Sequence, residues 1–243
     1  MRSVRRHHSA SIYASRTHLF ATLFIVVAPL VFFLLFSRLV HIALGELLGS
    51  ISASLLRLFA AYLIALLLAW TCAVLFYHGK RAIVALPVFD VLQNFPTFAV
   101  LPIGILLIGS SNATIIFFLV LSIIWPILFS VLSSLKLAKR DWAEAVHIAQ
   151  LSGWQYMRLF LIPITIPGVI TGSVIGLGEG WGAIVATEII IGAPMGLGSF
   201  FNTHALDGAI TTFGVFGILL LIFSINKLLW LPLLEWSHRE MEE

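Results

Sequence analysis

Long runs of apolar residues constrain this chain more than any other feature of its sequence. A helix needs about 20 largely apolar residues to cross a bilayer, and lipid permits little besides helices and closed barrels. The alternating ten-residue strands that are typical of a membrane barrel are absent from the sequence. Six apolar windows can be found, at residues 19–40, 55–77, 86–109, 113–135, 164–191 and 208–234. The sequence therefore predicts an all-α polytopic membrane protein with six transmembrane helices.

The composition supports a membrane protein without a soluble domain. Apolar residues make up 60% of the chain and charged residues 10%, and the mean hydropathy is +1.06, outside the range of soluble domains. The longest stretches outside the windows are the tail 1–18 and the loop 136–163. We expect a basic tail (1–18), a first helix (19–40) and a five-helix core (50–240) that contains this loop.

The basic residues predict the orientation of the chain. Of the 14 Lys and Arg residues, only Arg38 and Arg57 do not fall on one side of the predicted membrane. Cytoplasmic loops carry an excess of Lys and Arg. Both termini and the loop 136–163 should therefore be cytoplasmic.

Two connections are expected on the opposite, outer side. Residues 41–53 are too polar to span, and we expect them to be a surface connection that leads into the second helix. Residues 192–206 contain Gly192, Gly196 and Gly198 with Pro194, a composition that is typical of turns. This second segment should be the outer loop before the last helix.

The loop 136–163 has a helical pattern of its own. Asp141 is a suitable N-cap, and Glu144 follows at the spacing of a capping box. Gly153 can end a short helix by adopting the left-handed conformation. A second short segment then runs from Trp154 to Pro163, whose missing N–H suits the start of the next helix. The sequence predicts a helix, a turn and a helix on the cytoplasmic face.

The first of these short helices is amphipathic. Trp142 and Ala145 lie on one face, while Glu144, His147 and Gln150 form a stripe on another. Its apolar face can lie among lipid headgroups, which makes the loop an interfacial linker. Alternatively, it can fit a groove on a cytoplasmic partner. Periodicity alone does not separate the two interpretations.

The passage EAVHIAQLSGWQYMRLFLIP resembles the "EAA" loop in permease subunits of type I ABC importers. Glu144 and Ala145 match that pattern, and Pro163 follows the glutamate by nineteen residues as the pattern requires. Gln150 stands where the pattern has glycine. We expect Gly153 to supply the turn instead, which would lengthen the first short helix by nearly one turn.

Three further passages resemble the nitrate, sulfonate, taurine and bicarbonate branch of these permeases. Residues 88–109 are similar to its third helix, and residues 181–188 to its tryptophan followed seven residues later by glutamate. Residues 196–200, GLGSF, are similar to its Gly-Leu-Gly outer loop. Together the similarities cover about residues 50–240.

The resemblance implies an importer in the inner membrane of a prokaryote. Two permease subunits, identical or different, would enclose a path for a small anion or an organic sulfonate-like compound. Two cytoplasmic phosphate-loop ATPases would bind ATP and Mg, and an external binding protein would deliver the solute. The chain itself lacks G-x-x-x-x-G-K-[ST], so we expect neither enzymatic activity nor a cofactor in it. The positions that the resemblance assigns to contact with the ATPase are Trp142, Glu144, Ala145, His147, Gln150, Gly153, Trp154 and Pro163.

Polar residues inside the apolar windows are candidates for the solute path, because such groups are costly in lipid. Arg57 can snorkel outward or bind Glu188, and Asp90 is expected to be interfacial and locally paired. Trp181 lies seven residues before Glu188, on nearly the same helical face. The path candidates are Arg57, Asn94, Pro96, Glu179, Trp181 and Glu188.

Three of these candidates have open alternatives. Glu179 lies among glycines at a spacing of two, from Gly176 to Gly182, which indicates either close helix packing or a flexible break beside the path. Asn94 and Pro96 indicate either a kinked, hydrated helix or an amide that packs against a neighbour.

Two other classes of function compete with the importer. An ion-coupled secondary transporter would use Glu179 or Glu188 as its ion site, and a membrane scaffold would need no polar residue in its helices. The 8 histidines show no ligand spacing beyond one adjacent pair, so no metal site is expected. No nucleic-acid partner is expected.

Overall fold

A computed structural model describes residues 24–137, 146 and 148–242, with side chains as far as Ser237. The expectations for the tail 1–18 and for Trp142, Glu144, Ala145 and His147 lie outside the described residues. All regular secondary structure in the described part is helical, which confirms the all-α class. The helices are α1 (Phe24–Leu39), α2 (Leu44–Phe76), α3 (Gly79–Gln93), α4 (Leu101–Ile108), α5 (Asn112–Lys136), α6 (Gly153–Ile191), α7 (Leu197–Thr203), α8 (Gly208–Ile225) and α9 (Leu231–Glu242).

Four helical stretches in the described residues are long and apolar enough to cross a membrane. They are Leu44–Phe76, Asn112–Lys136, Gly153–Ile191 and Gly208–Ser237. The bent pair formed by α3 and α4 gives a fifth if it counts as one span, and α1 is a shorter apolar helix. This arrangement is consistent with the six predicted spans.

The start of α2 corrects the prediction that residues 41–53 form a surface connection. The helix begins at Leu44 and includes most of that segment. Its polar residues do not prevent this, because Ser50 and Ser54 are 5% and 0% exposed. The Ser52 hydroxyl donates to the carbonyl of Leu48 within the helix at 2.7 Å. A serine hydroxyl can donate its hydrogen bond to a backbone carbonyl of the preceding helical turn. The polarity of residues 41–53 is therefore compatible with a helix, and the prediction made α2 too short.

The window 86–109 is not one straight helix. The helix α3 begins earlier, at Gly79, and a break after Gln93 bends the pair α3 and α4 by 75°. The residue before a proline disfavours the helical conformation, and Pro96 stands at this break as N-cap of a 3₁₀ turn, Thr97–Val100. Asn94 donates its side-chain amide to the carbonyl of Asp90 at 2.7 Å. The kink predicted from Pro96 is confirmed, and it is a complete break.

The described chain divides into two compact units. One consists of residues up to Leu47 together with His204–Pro232, and the other of Leu48–Thr203 together with Leu233–Glu243. In the first unit, α1 packs against α8: a Cβ on Gly217 would lie 2.7 Å from Phe33 Cε1 and 2.9 Å from Phe32 Cε1. The second unit contains every predicted site residue that the structure describes.

Glycines of α6 form the contact with α5 in the second unit. A Cβ on Gly172 would lie 2.6 Å from Ile127 Cα and 2.9 Å from the carbonyl oxygen of Pro126. One on Gly176 would lie 2.9 Å from the carbonyl oxygen of Ile123. Glycine every four residues therefore lets the two backbones touch.

Of the two alternatives for the glycines around Glu179, the structure shows close helix packing and no break. The helix α6 is continuous through residues 176–182. Gly176 and Gly180 are buried, whereas Gly178 and Gly182 face open space. The glycine spacing of two thus comes from small residues on two different sides of one helix.

Candidate functional site at the two ends of α6

A buried carboxylate lies near the C-terminal end of α6. Glu188 is 0% exposed. Its two oxygens accept hydrogen bonds from the Ser54 hydroxyl at 2.8 and 2.9 Å. Oε1 also accepts from Arg57 Nη1 at 2.6 Å, and Oε2 from the backbone N–H of Gly198 at 2.8 Å. A buried charge is stable only when it is paired and hydrogen-bonded, and this carboxylate meets both conditions.

The chain turns back onto this carboxylate because α6 ends at Gly192. That glycine adopts the left-handed conformation, with φ 71° and ψ 47°, and donates to the carbonyls of Glu188 and Ile189. Left-handed glycine is a common helix terminator. Pro194 then cannot continue the helix. The following segment, which contains α7, is thereby directed across the end of α6.

The Gly-Leu-Gly passage is explained by this return. A Cβ on Gly196 would overlap the carboxylate of Glu188, and one on Gly198 would lie 2.6 Å from Glu188 Cβ. The backbone N–H of Leu197 donates to Ser54 Oγ at 2.8 Å. The glutamate of residues 181–188 and the glycines of residues 196–200 are therefore parts of one structure. The predicted loop 192–206 contains a short helix, α7, because it is held in this way.

Arg57 connects the carboxylate to two further segments. Its Nη1 also donates to the carbonyl of Met195 at 2.7 Å, and its Nε donates to Asn112 Oδ1 at 2.8 Å. Asn112 opens α5, where Ser111 is the N-cap. We call Ser54, Arg57, Asn112, Glu188 and the backbone of residues 195–198 the Glu188 cluster. Ser54 and Asn112 were not predicted as site residues from the sequence. The available signal for Ser54 was its three-residue spacing from Arg57 on one helix.

The position of Arg57 decides between its two predicted roles. The residue is 9% exposed and forms a salt bridge with Glu188, so the predicted pairing is confirmed and the outward snorkel is wrong. Its charge is already neutralised by the carboxylate. Arg57 therefore gives no argument that the solute is an anion.

The other path candidates are not gathered at this cluster. Trp181 is 7% exposed, on the buried side of α6, while Glu179 lies on the exposed side. Asn94 and Pro96 lie at the break between α3 and α4. There the Gln93 side chain donates to Asp90 at 2.7 Å, so Asp90 has a local hydrogen-bond partner, while its interfacial position stays a prediction. Within the described residues, no group of three or more His, Cys, Asp and Glu could hold a metal ion.

An open groove lies at the opposite end of α6. It has a volume of about 830 Å³, and we call it the loop groove. Its lining residues are Val146, Ile148, Gln150, Leu151, Ser152, Gly153 and Tyr156. Two apolar side chains are strongly exposed nearby, Ile148 at 81% and Trp154 at 70%. Both the linker and the partner-binding interpretations require such exposure.

The turn in this loop differs from the prediction. Gln150 has φ 50° and Gly153 has φ 54°, so both adopt the left-handed conformation. The first short helix is not extended to Gly153, because residues 149 and 150 already form a turn. Gln150 thus adopts the conformation that a glycine would adopt more easily.

The helix that leaves the groove is longer than predicted. It runs from Gly153 without interruption past Pro163, and it contains one π-helical turn, Met157–Leu161. Pro163 lies in the first turn of the α-helical part that begins at Ile162, as predicted. A π turn absorbs one extra residue without ending the helix. The chain therefore stays helical on both sides of the proline.

Comparison with known proteins gives a family match over most of the chain. Residues 61–231 match the model of the binding-protein-dependent transport system inner membrane component. The nitrate import permease protein NrtB of Synechocystis is 31% identical over 178 residues, which are 70% of this chain and 64% of that protein. The taurine transport system permease protein TauC of Escherichia coli is 30% identical, over 62% of this chain and 58% of its own length.

A third relative is the bicarbonate transport system permease protein CmpB of Synechocystis. It is 29% identical, over 47% of this chain and 41% of its own length. The matched part of the chain thus spans about two fifths to two thirds of the length of these relatives. The family match covers α6 and residues 192–203. It therefore includes the loop groove and those members of the Glu188 cluster that lie beyond residue 61, namely Asn112, Glu188 and the backbone of residues 195–198.

Proposed function

The chain belongs to the family of binding-protein-dependent transport system inner membrane components, and on that premise we propose that it is the transmembrane permease subunit of an ATP-driven importer. Two permease subunits enclose the path, cytoplasmic phosphate-loop ATPases hydrolyse ATP with Mg, and an external binding protein delivers the solute. The observation that carries this proposal is the family match over residues 61–231, which includes the loop that resembles the "EAA" passage.

The loop groove is the proposed contact with the ATPase. Its open shape and the exposed side chains Ile148 and Trp154 suit a partner that inserts into or caps it. ATP hydrolysis in the partner chain would then displace the residues that line the loop groove. The proposed contact residues are those that the resemblance assigns, from Trp142 to Pro163.

The proposed orientation follows from the basic residues. The termini and the loop groove face the cytoplasm, and the Glu188 cluster faces outward, because Lys and Arg are concentrated on the cytoplasmic side. The protein then resides in the inner membrane of a prokaryote. Residues 192–203, which include α7, then face the side from which a binding protein delivers solute.

The proposed solute is a small anion or an organic sulfonate-like compound. This proposal is supported by the names of the relatives, which refer to nitrate, bicarbonate and taurine. Asn94, Pro96 and Glu179 line the proposed path, since they are polar or break a helix and are not enclosed by the described fold. All three of the remaining candidates are buried, namely Trp181, Arg57 and Glu188. Their proposed role is to hold the helices that surround the path in position.

No described contact favours the ion-coupled transporter. Both oxygens of Glu188 accept hydrogen bonds, and the carboxylate is paired with Arg57. These contacts would have to break before Glu188 could bind an ion. Glu179 is the other candidate, and in the described part of the chain it belongs to no group of three or more His, Cys, Asp and Glu that could hold a metal ion.

Affinity purification from the native membrane in mild detergent tests the proposal. We expect a phosphate-loop ATPase to co-purify with the wild type and to be lost with Glu144→Arg, which reverses a charge in the loop. A matched control is Glu46→Arg, the same change at an exposed residue in the first turn of α2; it should retain the ATPase. Absence of an ATPase from the folded wild-type chain would overturn the proposal and direct attention to Glu179.

A further inference from the structure

Polar side chains of α2, and of Tyr77 directly after it, connect to α6 at four levels. As the residue number rises along α2, that of its partner falls along α6, so the two helices run in opposite directions. The four connections are Arg57 and Ser54 with Glu188, Tyr62 with Ser173 at 3.0 Å, Trp70 with Thr165 at 3.0 Å, and Tyr77 with Tyr156 at 3.0 Å. The two helices are thus linked from the Glu188 cluster to the loop groove.

These connections extend over the thickness of a membrane. At 1.5 Å per residue, Arg57 and Tyr77 are separated by about 30 Å along the helix axis, which equals the thickness of the hydrocarbon core, about 30 Å. Arg57 lies on one uninterrupted helix that ends at Phe76, the residue before Tyr77, and Tyr156 and Glu188 lie on another, Gly153–Ile191. A movement at one end can therefore be transmitted to the other almost entirely through helix.

The connection at the loop groove differs from the other three in its position. Tyr156 lines the groove and precedes the π turn Met157–Leu161. π turns mark places where a helix departs from regular geometry, frequently at functional sites. The hydroxyl of Tyr156 meets that of Tyr77, directly after α2, while its ring stacks on Phe160 at 5.3 Å between centroids. Tyr156, which lies between the groove and the π turn, thereby connects the groove wall to the end of α2.

We propose that α2 and α6 form one strut, fixed at both ends, and that Tyr77 and Tyr156 are the positioning pair through which a displacement of the loop groove reaches the segment Ala193–Thr203. The inference rests on the proposed function, because the displacement comes from the ATPase. At the far end, Ser54 and Arg57 on α2 and Glu188 on α6 hold the backbone of residues 195–198. Movement of the strut therefore carries that segment with it.

The chemistry of the pair allows a narrow substitution. Tyr77→Phe removes one hydroxyl and retains the ring, so that packing is kept and only the hydrogen bond is lost. Tyr62→Phe is a matched control, since it removes the hydroxyl that bonds to Ser173 between α2 and α6 at an intermediate level. A merely structural role predicts equal effects of the two variants. The proposed strut predicts that only loss of the end connection interrupts transmission.

The test places a reporter on α7 of the full chain, purified with its co-purifying ATPase. Asn202, which is exposed, is changed to cysteine and labelled with an environment-sensitive fluorophore, in a Cys72→Ala background that removes the 1 native cysteine. The fluorescence change on addition of MgATP and vanadate is measured for each variant, together with its apparent melting temperature.

We expect Tyr77→Phe to reduce the fluorescence change by about three- to tenfold, the range that corresponds to one hydrogen bond. Adding Tyr156→Phe should reduce it no further, because the bond is already lost, and Tyr62→Phe should retain most of the change at a similar melting temperature. Equal responses of Tyr77→Phe and Tyr62→Phe, while the ATPase still co-purifies, would overturn the strut and leave the proposed function intact. Absence of an ATPase from the wild type would overturn both.

Discussion

The two ends of α6 use opposite means to hold their shape. At the Glu188 end, a charged pair is enclosed, every oxygen of the carboxylate accepts at least one hydrogen bond, and the neighbouring backbone approaches too closely for any side chain. At the loop end, Ile148 and Trp154 are exposed, Gln150 is in a left-handed conformation, and an open groove separates the segments. At the Glu188 end the polar groups find their partners within the chain, whereas at the loop end apolar side chains are exposed.

This difference teaches where each end can tolerate change. A buried, fully bonded cluster fixes one conformation, and removing any member leaves another without its partner. We expect an exposed, strained loop to contribute little to the stability of the isolated chain, which is compatible with the proposed contact with the ATPase. Substitutions that are matched in chemistry can measure the contrast.

The largest effect is expected at the Glu188 end. Arg57→Met leaves the carboxylate buried without its cation and should cost about 3–5 kcal/mol in the free energy of unfolding. Unfolding of the purified chain in detergent by SDS measures it. The double variant Arg57→Met/Glu188→Gln should recover much of the loss, since its amide carries no charge. If Arg57→Met unfolds like the wild type, the pair contributes no stability and the contrast between the ends is lost.

A smaller effect is expected from a single methyl group next to the same carboxylate. Gly198→Ala places a Cβ against Glu188 Cβ and the carbonyl of Val185, and overpacking of this kind costs about 1–3 kcal/mol. Gly182→Ala is the control, because nothing lies within 4 Å of its position. The same unfolding measurement compares the two. Equal stability of both variants would contradict the close approach described above.

At the loop end a substitution should stabilise the chain. Gln150→Gly relieves a left-handed non-glycine residue, φ 50°, and should raise the free energy of unfolding by about 1 kcal/mol. The control is Gln155→Gly, which lies in the helix Gly153–Tyr156 and should be destabilised by about 1 kcal/mol. A loss of stability in Gln150→Gly would contradict the strain inferred from its left-handed conformation.

The smallest effect on stability is expected for Trp154→Ala. The side chain is 70% exposed, and exposed substitutions usually stay within about 0.5 kcal/mol. Under the proposed function, the same variant should lose most of the ATPase in affinity purification. Trp236→Ala, at a tryptophan that is 48% exposed, should keep it. Strong destabilisation by Trp154→Ala would show that the loop end is also built for stability.

The helical class and the family followed from apolar runs and from four short passages, because both are properties of local sequence. The Glu188 cluster was predictable only in part. The pairing of Arg57 with Glu188 could be proposed, since two opposite charges in apolar windows need each other. The role of Ser54 could not, because its partner lies 134 residues away in the chain and no local pattern pairs the two.

The loop shows the opposite limit. Its turn was expected at a glycine, and the chain also turns at Gln150, where local propensity is overruled. The uninterrupted α6 was missed because a proline usually marks the start of a helix, whereas a π turn keeps this one continuous. Sequence patterns give the local preference, and they do not show which irregular geometry will satisfy it.

The distance between Arg57 and Glu188 in the chain has a consequence for biosynthesis. The two residues are 131 positions apart, and a ribosome adds about 5–20 residues per second, so α2 emerges about 7–26 seconds before its counter-ion exists. An unpartnered arginine opposes insertion of a helix by up to about 2.5–3.5 kcal/mol. The nascent segment has to outweigh this with its own leucines and alanines, which dominate residues 58–69. The order of synthesis therefore demands a more hydrophobic α2 than the finished protein does.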